Sequence, residues 1–187
     1  MYKYLKNLLI YSLILIYSCT DGVKIHEVTS LEENKNFNAI INGFNKIIET
    51  SRKETKKHER GEKRLLNYDH DKFIINSYDK FISWIEDNPD KKKELDTDFT
   101  EAYNLLEQRR TENAPEKTLD EYISDAFECY NNPSSCKDTR KQYGTKKNQI
   151  FLFFGCNFST LFHSKNTPET VFLTLKQIDI SDIKDKF

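Results

Sequence analysis

Glycine and proline are scarce in this chain, five and four in 187 residues. That scarcity argues against a turn-rich β fold, whose corners depend on both. Neither sign of charge dominates, since 29 basic side chains meet 30 acidic ones. A dedicated nucleic-acid binder would carry a clear basic excess, so no nucleic-acid partner is expected. There is no GxSxG elbow, no phosphate-cradling glycine loop and no dinucleotide fingerprint. His26, His58, His70 and His163 are scattered, and no pair has the i, i+4 spacing of a zinc-binding helix. The four cysteines lack the spacing of a zinc site. The expectation is a protein without catalytic residues, metal or cofactor.

Long apolar runs are missing as well. The one near the N-terminus, Leu8 to Tyr17, is about half of the ~20 residues that span a bilayer. It follows Lys3 and Lys6 and ends at Leu15-Ile16-Tyr17-Ser18-Cys19. A charged start, a short apolar core and a small residue before the cut describe a secretory signal. A cysteine directly after the cut makes it read as a bacterial lipoprotein signal, with Cys19 as the lipid-carrying N-terminus. Tyr17 is bulky where that pattern prefers a small residue. The alternatives are an ordinary cleaved signal and an uncleaved anchor. Residues 1–18 are thus expected to be a signal peptide and 19–30 a lipidated tether. Residues 31–187 would form a single domain, long enough for a modest core.

Within that domain apolar residues recur every three or four positions, the mark of amphipathic helices. Ser30-Leu31-Glu32-Glu33 reads as a capping box. Behind it Phe37, Ile40, Ile41, Phe44, Ile47 and Ile48 make the first stripe. Ile74, Tyr78, Phe81, Ile82 and Ile85, with Trp84 on the flank, make the second, which ends at Asn88-Pro89. There Pro89 suits the first helical position and Asn88 its cap. Leu95, Phe99, Ala102, Tyr103 and Leu106 form a third, expected to pack on the second as a hairpin. Thr118-Leu119-Asp120-Glu121 repeats the capping box before Tyr122, Ile123, Ala126 and Phe127. Ile150 to Phe154 is apolar on all sides and reads as a buried helix, with a strand as the alternative. Thr167-Pro168-Glu169 marks a last short helix, and Asp179 to Phe187 is expected to fray. The predicted fold is all-α, a small bundle of five to six helices.

Three features could carry function. The charged segment 52–64 sets seven cations against Glu54, Glu59 and Glu62, with Gly61 interrupting. It is either a solvated extension of the first helix or an exposed linker. Lys56, Lys57, Lys63 and Arg64 in it are candidate polyanion ligands, the alternative being a solvated helix face laced with Glu–Lys pairs. Cys129 and Cys136 flank turn-forming Asn131-Asn132-Pro133-Ser134-Ser135, so an oxidising compartment could join them in a disulfide. Cys156 would then be a buried small hydrophobe, or the true partner of one of them. Tyr78, Phe81 and Trp84 are either core or an aromatic contact patch. Asp69-His70-Asp71 sits at a helix start, where its carboxylates meet the helix dipole.

Residues 70–145 contain a distinctive order of segments. Tyr78-Asp79-Lys80-Phe81-Ile82-Ser83-Trp84-Ile85 leads to Asn88-Pro89-Asp90-Lys91-Lys92-Lys93-Glu94-Leu95. Phe99-Thr100-Glu101-Ala102-Tyr103-Asn104-Leu105-Leu106-Glu107 and Asp120-Glu121-Tyr122-Ile123-Ser124-Asp125-Ala126 follow. Together they resemble the plasmid-encoded OrfD-type lipoproteins of Borrelia. The resemblance implies a lipid-anchored envelope protein of no established biochemical activity, with no catalytic or ligand-contact residues to carry over; its expected place is the bacterial outer membrane, at the cell surface. The functional expectation is a non-enzymatic envelope protein that contacts host protein or sulfated glycan, or shields the cell. A structural or bridging lipoprotein facing the periplasm is the alternative, and an envelope enzyme ranks third.

Overall fold

A computed structural model describes residues 33–134, 136, 140–145, 147–164, 166–185 and 187. Cys19, the signal segment, the tether and the Ser30 capping box lie outside the described residues. The order is α1 (Lys35–Glu59), α2 (Tyr68–Glu86), α3 (Pro89–Asp98), α4 (Thr100–Asn113), α5 (Leu119–Asn131), a 3-10 turn (Arg140–Tyr143), α6 (Gln149–Phe162), α7 (Pro168–Leu175) and α8 (Ser181–Lys184). Among the described residues there is no strand, so the fold is all-α. Asn36–Phe187 makes one compact unit.

The described residues form eight helices, roughly the expected bundle of five to six, and two local features add the others. The third stripe bends at Phe99, splitting one expected helix into α3 and α4. Phe99 is fully buried, its ring stacked on Phe37 at 6.3 Å, and the Thr100 hydroxyl donates to the Thr97 carbonyl beside the bend. The second feature is the C-terminal segment, which docks instead of fraying. Asn157, buried in α6, donates to the Asp179 carbonyl at 2.8 Å and accepts from the Asp179 N–H at 3.0 Å. Arg109 of α4 then donates to the carbonyls of Ile183 and Lys184, the open end of α8. Ile183 has no exposed surface.

Helix α6 is the central element. Its apolar surround reflects its neighbours: it packs against α2, α5, α7, α8 and the 3-10 turn. The expected buried helix is therefore present, and the strand alternative is not. Phe44 of α1 meets Phe154 edge-on at 5.9 Å, while Tyr78 and Phe81 of α2 meet Phe162. One position requires glycine. A Cβ on Gly43 of α1 would lie 2.1 Å from Cε1 of Phe154, so only a bare Cα admits that ring.

The caps explain where helices start. Thr118 and Glu121 form the reciprocal capping box expected for α5, and the Thr167 hydroxyl accepts from the Thr170 N–H at α7. Pro89 opens α3 as expected, but Asn88 does not cap it: its amide donates back to the Trp84 carbonyl at 2.7 Å. Asn148, not anticipated as a cap, accepts from the Phe151 N–H at 2.9 Å and donates to the Ala126 carbonyl, joining the start of α6 to α5. The first turn of α1 has no acidic residue of its own. Asp96 of α3 supplies a carboxylate to the Phe37 N–H at 2.8 Å.

Candidate binding face at the end of the first helix

The charged segment is helix in its first part and an exposed turn in its second. Helix α1 runs through it as far as Glu59, burying Thr55 on one side, and then stops at a built turn. Gly61, at φ 74°, takes the left-handed conformation that ends helices. Its N–H donates to the His58 carbonyl at 2.9 Å, and the Glu62 N–H donates to the Lys57 carbonyl at 2.9 Å. Those two bonds are a Schellman closure, satisfying carbonyls that the helix end leaves open.

The return path to α2 is also pinned. The Leu65 N–H donates to Nδ1 of His58 at 3.1 Å, and the Tyr68 hydroxyl donates to Glu59 at 2.7 Å. The rings of His58 and Tyr68 lie 4.5 Å apart. Backbone and side chain thus fix residues 58–68 as an ordered tip joining α1 to α2.

Charge on the tip is partly paired. Glu54 receives both Lys57, at 2.8 Å, and Lys63. The hydrogen bonds from these two lysines bring its carboxyl down to about 2. Arg60 holds Glu62, Arg52 reaches Asp79 of α2, and Lys72 lies 3.5 Å from Glu59. Of the four expected polyanion ligands, Lys57 and Lys63 therefore share one carboxylate. Lys56 and Arg64 are exposed and have no ionic partner among the described residues. Leu66, between these cations and α2, is 89% exposed. An isolated exposed leucine is ordinary; one standing on a pinned basic turn is the feature that the charge pattern did not foretell.

The other expected features fall elsewhere. Tyr78 and Phe81 are buried, so they belong to the core. Trp84 is half-buried against Phe172, and Lys91 lies over both rings, which leaves no open aromatic patch there. Asp69 and Asp71 stand in the first turn of α2, as expected. His70 beside them meets His163 at 5.1 Å; burial first, then His70, moves His163 down from its ordinary value. Cys129 and Cys136 are both buried near Tyr143, whose hydroxyl is pushed up chiefly by burial. Cys156 is exposed on α6, contrary to its expected place as a buried hydrophobe, because it lies on the one polar edge of that helix.

Among the described residues no group of three or more His, Cys, Asp or Glu is arranged to hold a metal, and no helix is long and apolar enough to cross a membrane. Two shallow depressions of about 590 and about 500 Å³ occur at the α3–α4 junction and beside the C-terminus. The first is lined by Thr97, Asp98, Glu101 and Gln108, the second by Lys147, Gln149, Asp182 and Asp185.

Over 146 residues the chain is 30% identical to lipoprotein MlpJ of Borreliella burgdorferi. The match covers 78% of this chain and 63% of that protein, so the chain spans less than two thirds of its relative's length. No protein-family model matches the chain, and no solved structure matches it.

Proposed function

We propose that this chain is a lipid-anchored envelope protein of the bacterial outer membrane, displayed at the cell surface, that works by contact and not by turnover. The observation that carries the reading is its similarity to a Borreliella lipoprotein, which agrees with a leader ending at Cys19. Acylation of Cys19 would supply residence at the membrane. The helical unit would supply a rigid body whose surface meets a partner or shields the cell. Kinship with the OrfD-type plasmid-encoded lipoproteins is part of the same proposal.

The contact surface best suited to this role is the tip between α1 and α2. Helix α1 has 25 residues and so is about 37 Å long, which separates the tip from the end of the helix nearest the tether. Lys56, Lys57, Lys63 and Arg64 give that end a polyanion-attracting character, and sulfated glycan or an acidic host surface has the matching charge.

Protease treatment of intact cells tests the display. Loss of the protein from untreated-membrane levels supports an outward face. Survival in intact cells, with cleavage after lysis, would assign it to the periplasmic side as a structural or bridging lipoprotein.

A further inference from the structure

Charge alone suits a sulfated glycan as well as an anionic bilayer; Leu66 separates the two. We infer that the α1–α2 tip is a second membrane contact, in which Lys56 and Arg64 meet lipid phosphates while Leu66 enters the interface of an anionic phospholipid bilayer. The inference rests on the proposed anchored display and names the partner class of the same site.

The tip has the parts that interfacial binding requires: cations that attract an anionic surface and an apolar side chain that enters it. Leu66 is 89% exposed, and the turn that presents it is fixed by the Gly61 closure, the Leu65–His58 bond and the Tyr68–Glu59 bond. Its exposure is therefore built into the backbone path. A sulfated glycan offers sulfates to the cations but no apolar phase for the leucine. A bilayer offers both. Glu54 draws Lys57 and Lys63 back onto α1, so the unneutralised Lys56 and Arg64 carry most of the attraction.

A lipid chain together with a basic patch is the two-signal arrangement that makes membrane attachment durable.

The test uses the chain from Cys19 onward with Cys19→Ser, so that no acyl chain contributes, sedimented with phosphatidylcholine vesicles with and without phosphatidylglycerol. Binding is expected to need phosphatidylglycerol. Leu66→Ser should weaken it about tenfold. Lys56→Glu with Arg64→Glu, which leave the Glu54 clasp intact, should weaken it about a hundredfold. Helical circular dichroism should be unchanged in both variants, since all three side chains are exposed. Failure to sediment with phosphatidylglycerol vesicles would overturn the inference, and so would binding indifferent to Leu66→Ser. Heparin retention that the charge variant abolishes, without vesicle binding, would hand the tip to a glycan and overturn it equally. Failure of the anchoring proposal shows separately, in acylation of the native chain.

Discussion

Replacing Gly43 by alanine tests the core, because two effects of opposite sign meet there. In an exposed helix the change would add about 1 kcal/mol through propensity. Here the new methyl would sit 2.1, 2.4 and 2.5 Å from three ring carbons of Phe154. The ring has nowhere to go: it is fully buried, edge-on to Phe44, and packed against Phe127 and Phe153. Moving it by more than an ångström is overpacking, which costs about 1–3 kcal/mol or more and outweighs the propensity gain. The net expectation for Gly43→Ala is a loss of up to about 2 kcal/mol, read as a fall in Tm of up to about 8 °C. Gly155→Ala is the control within the same helix packing. Its Cβ would meet Phe151 at an ordinary 3.6 Å, so this change should raise Tm by about 2–4 °C. Phe154→Leu should relieve the clash, making the double variant with Gly43→Ala more stable than the two losses combined would give. Thermal unfolding followed by circular dichroism reads all four proteins. If Gly43→Ala stabilised the protein as much as Gly155→Ala, the close approach of α1 to Phe154 would be wrong.

The C-terminal segment depends on one buried amide, so Asn157→Ala should cost about 2 kcal/mol and open residues 179–187 to carboxypeptidase well before global unfolding. The Glu54 carboxyl should titrate near 2 by NMR. Because that value lies below the ordinary carboxyl range, the Lys57–Glu54–Lys63 clasp should be fully present above that range and lost as pH falls toward about 2. Lys63→Ala and Lys57→Ala should each move the Glu54 midpoint upward, and an unmoved midpoint would contradict the shared pairing. Under oxidising conditions we expect Cys129 and Cys136 to join in a bridge worth about 2–3 kcal/mol, detected by peptide mass mapping and by a lower Tm on reduction. Cys156 should alkylate in the native protein, since it is exposed.

Helices were legible wherever a single face decides them. The stripes of α1, α2 and α5 needed only their own spacing, and the Thr118 and Thr167 caps only their neighbours within three residues. What escaped the sequence depends on partners far along the chain. The bend at Phe99 keeps the apolar period intact, so periodicity cannot see it; its cause is Phe37, in another helix. Asn157 and Arg109 look like ordinary polar residues of helices until the segment they hold, more than twenty and more than seventy positions away, folds back on them. Gly43 did carry a usable sign, a glycine in the apolar stripe between Ile40 and Phe44, where a close approach is the common reason.

The candidate site divided in the same way. The basic run and the interruption at Gly61 were readable from composition, but whether the helix ends there was not. The sharing of Glu54 by two lysines was not, because it requires the turn to bring Lys63 back nine residues. Nor was the exposure of Leu66, since an apolar residue near a helix start is ordinarily expected to face the core. The reading of Cys19 as a lipid-carrying residue rests on its leader alone, and that residue lies outside the described ones.

Metabolic labelling with radioactive palmitate, in the native chain and in Cys19→Ser, tests the anchored-display account most directly. The account predicts label in the native protein, none in the variant, and weaker retention of the variant in the membrane fraction. An unlabelled native protein, or a Cys19→Ser variant that stays with the membrane as fully as the native one, would contradict it.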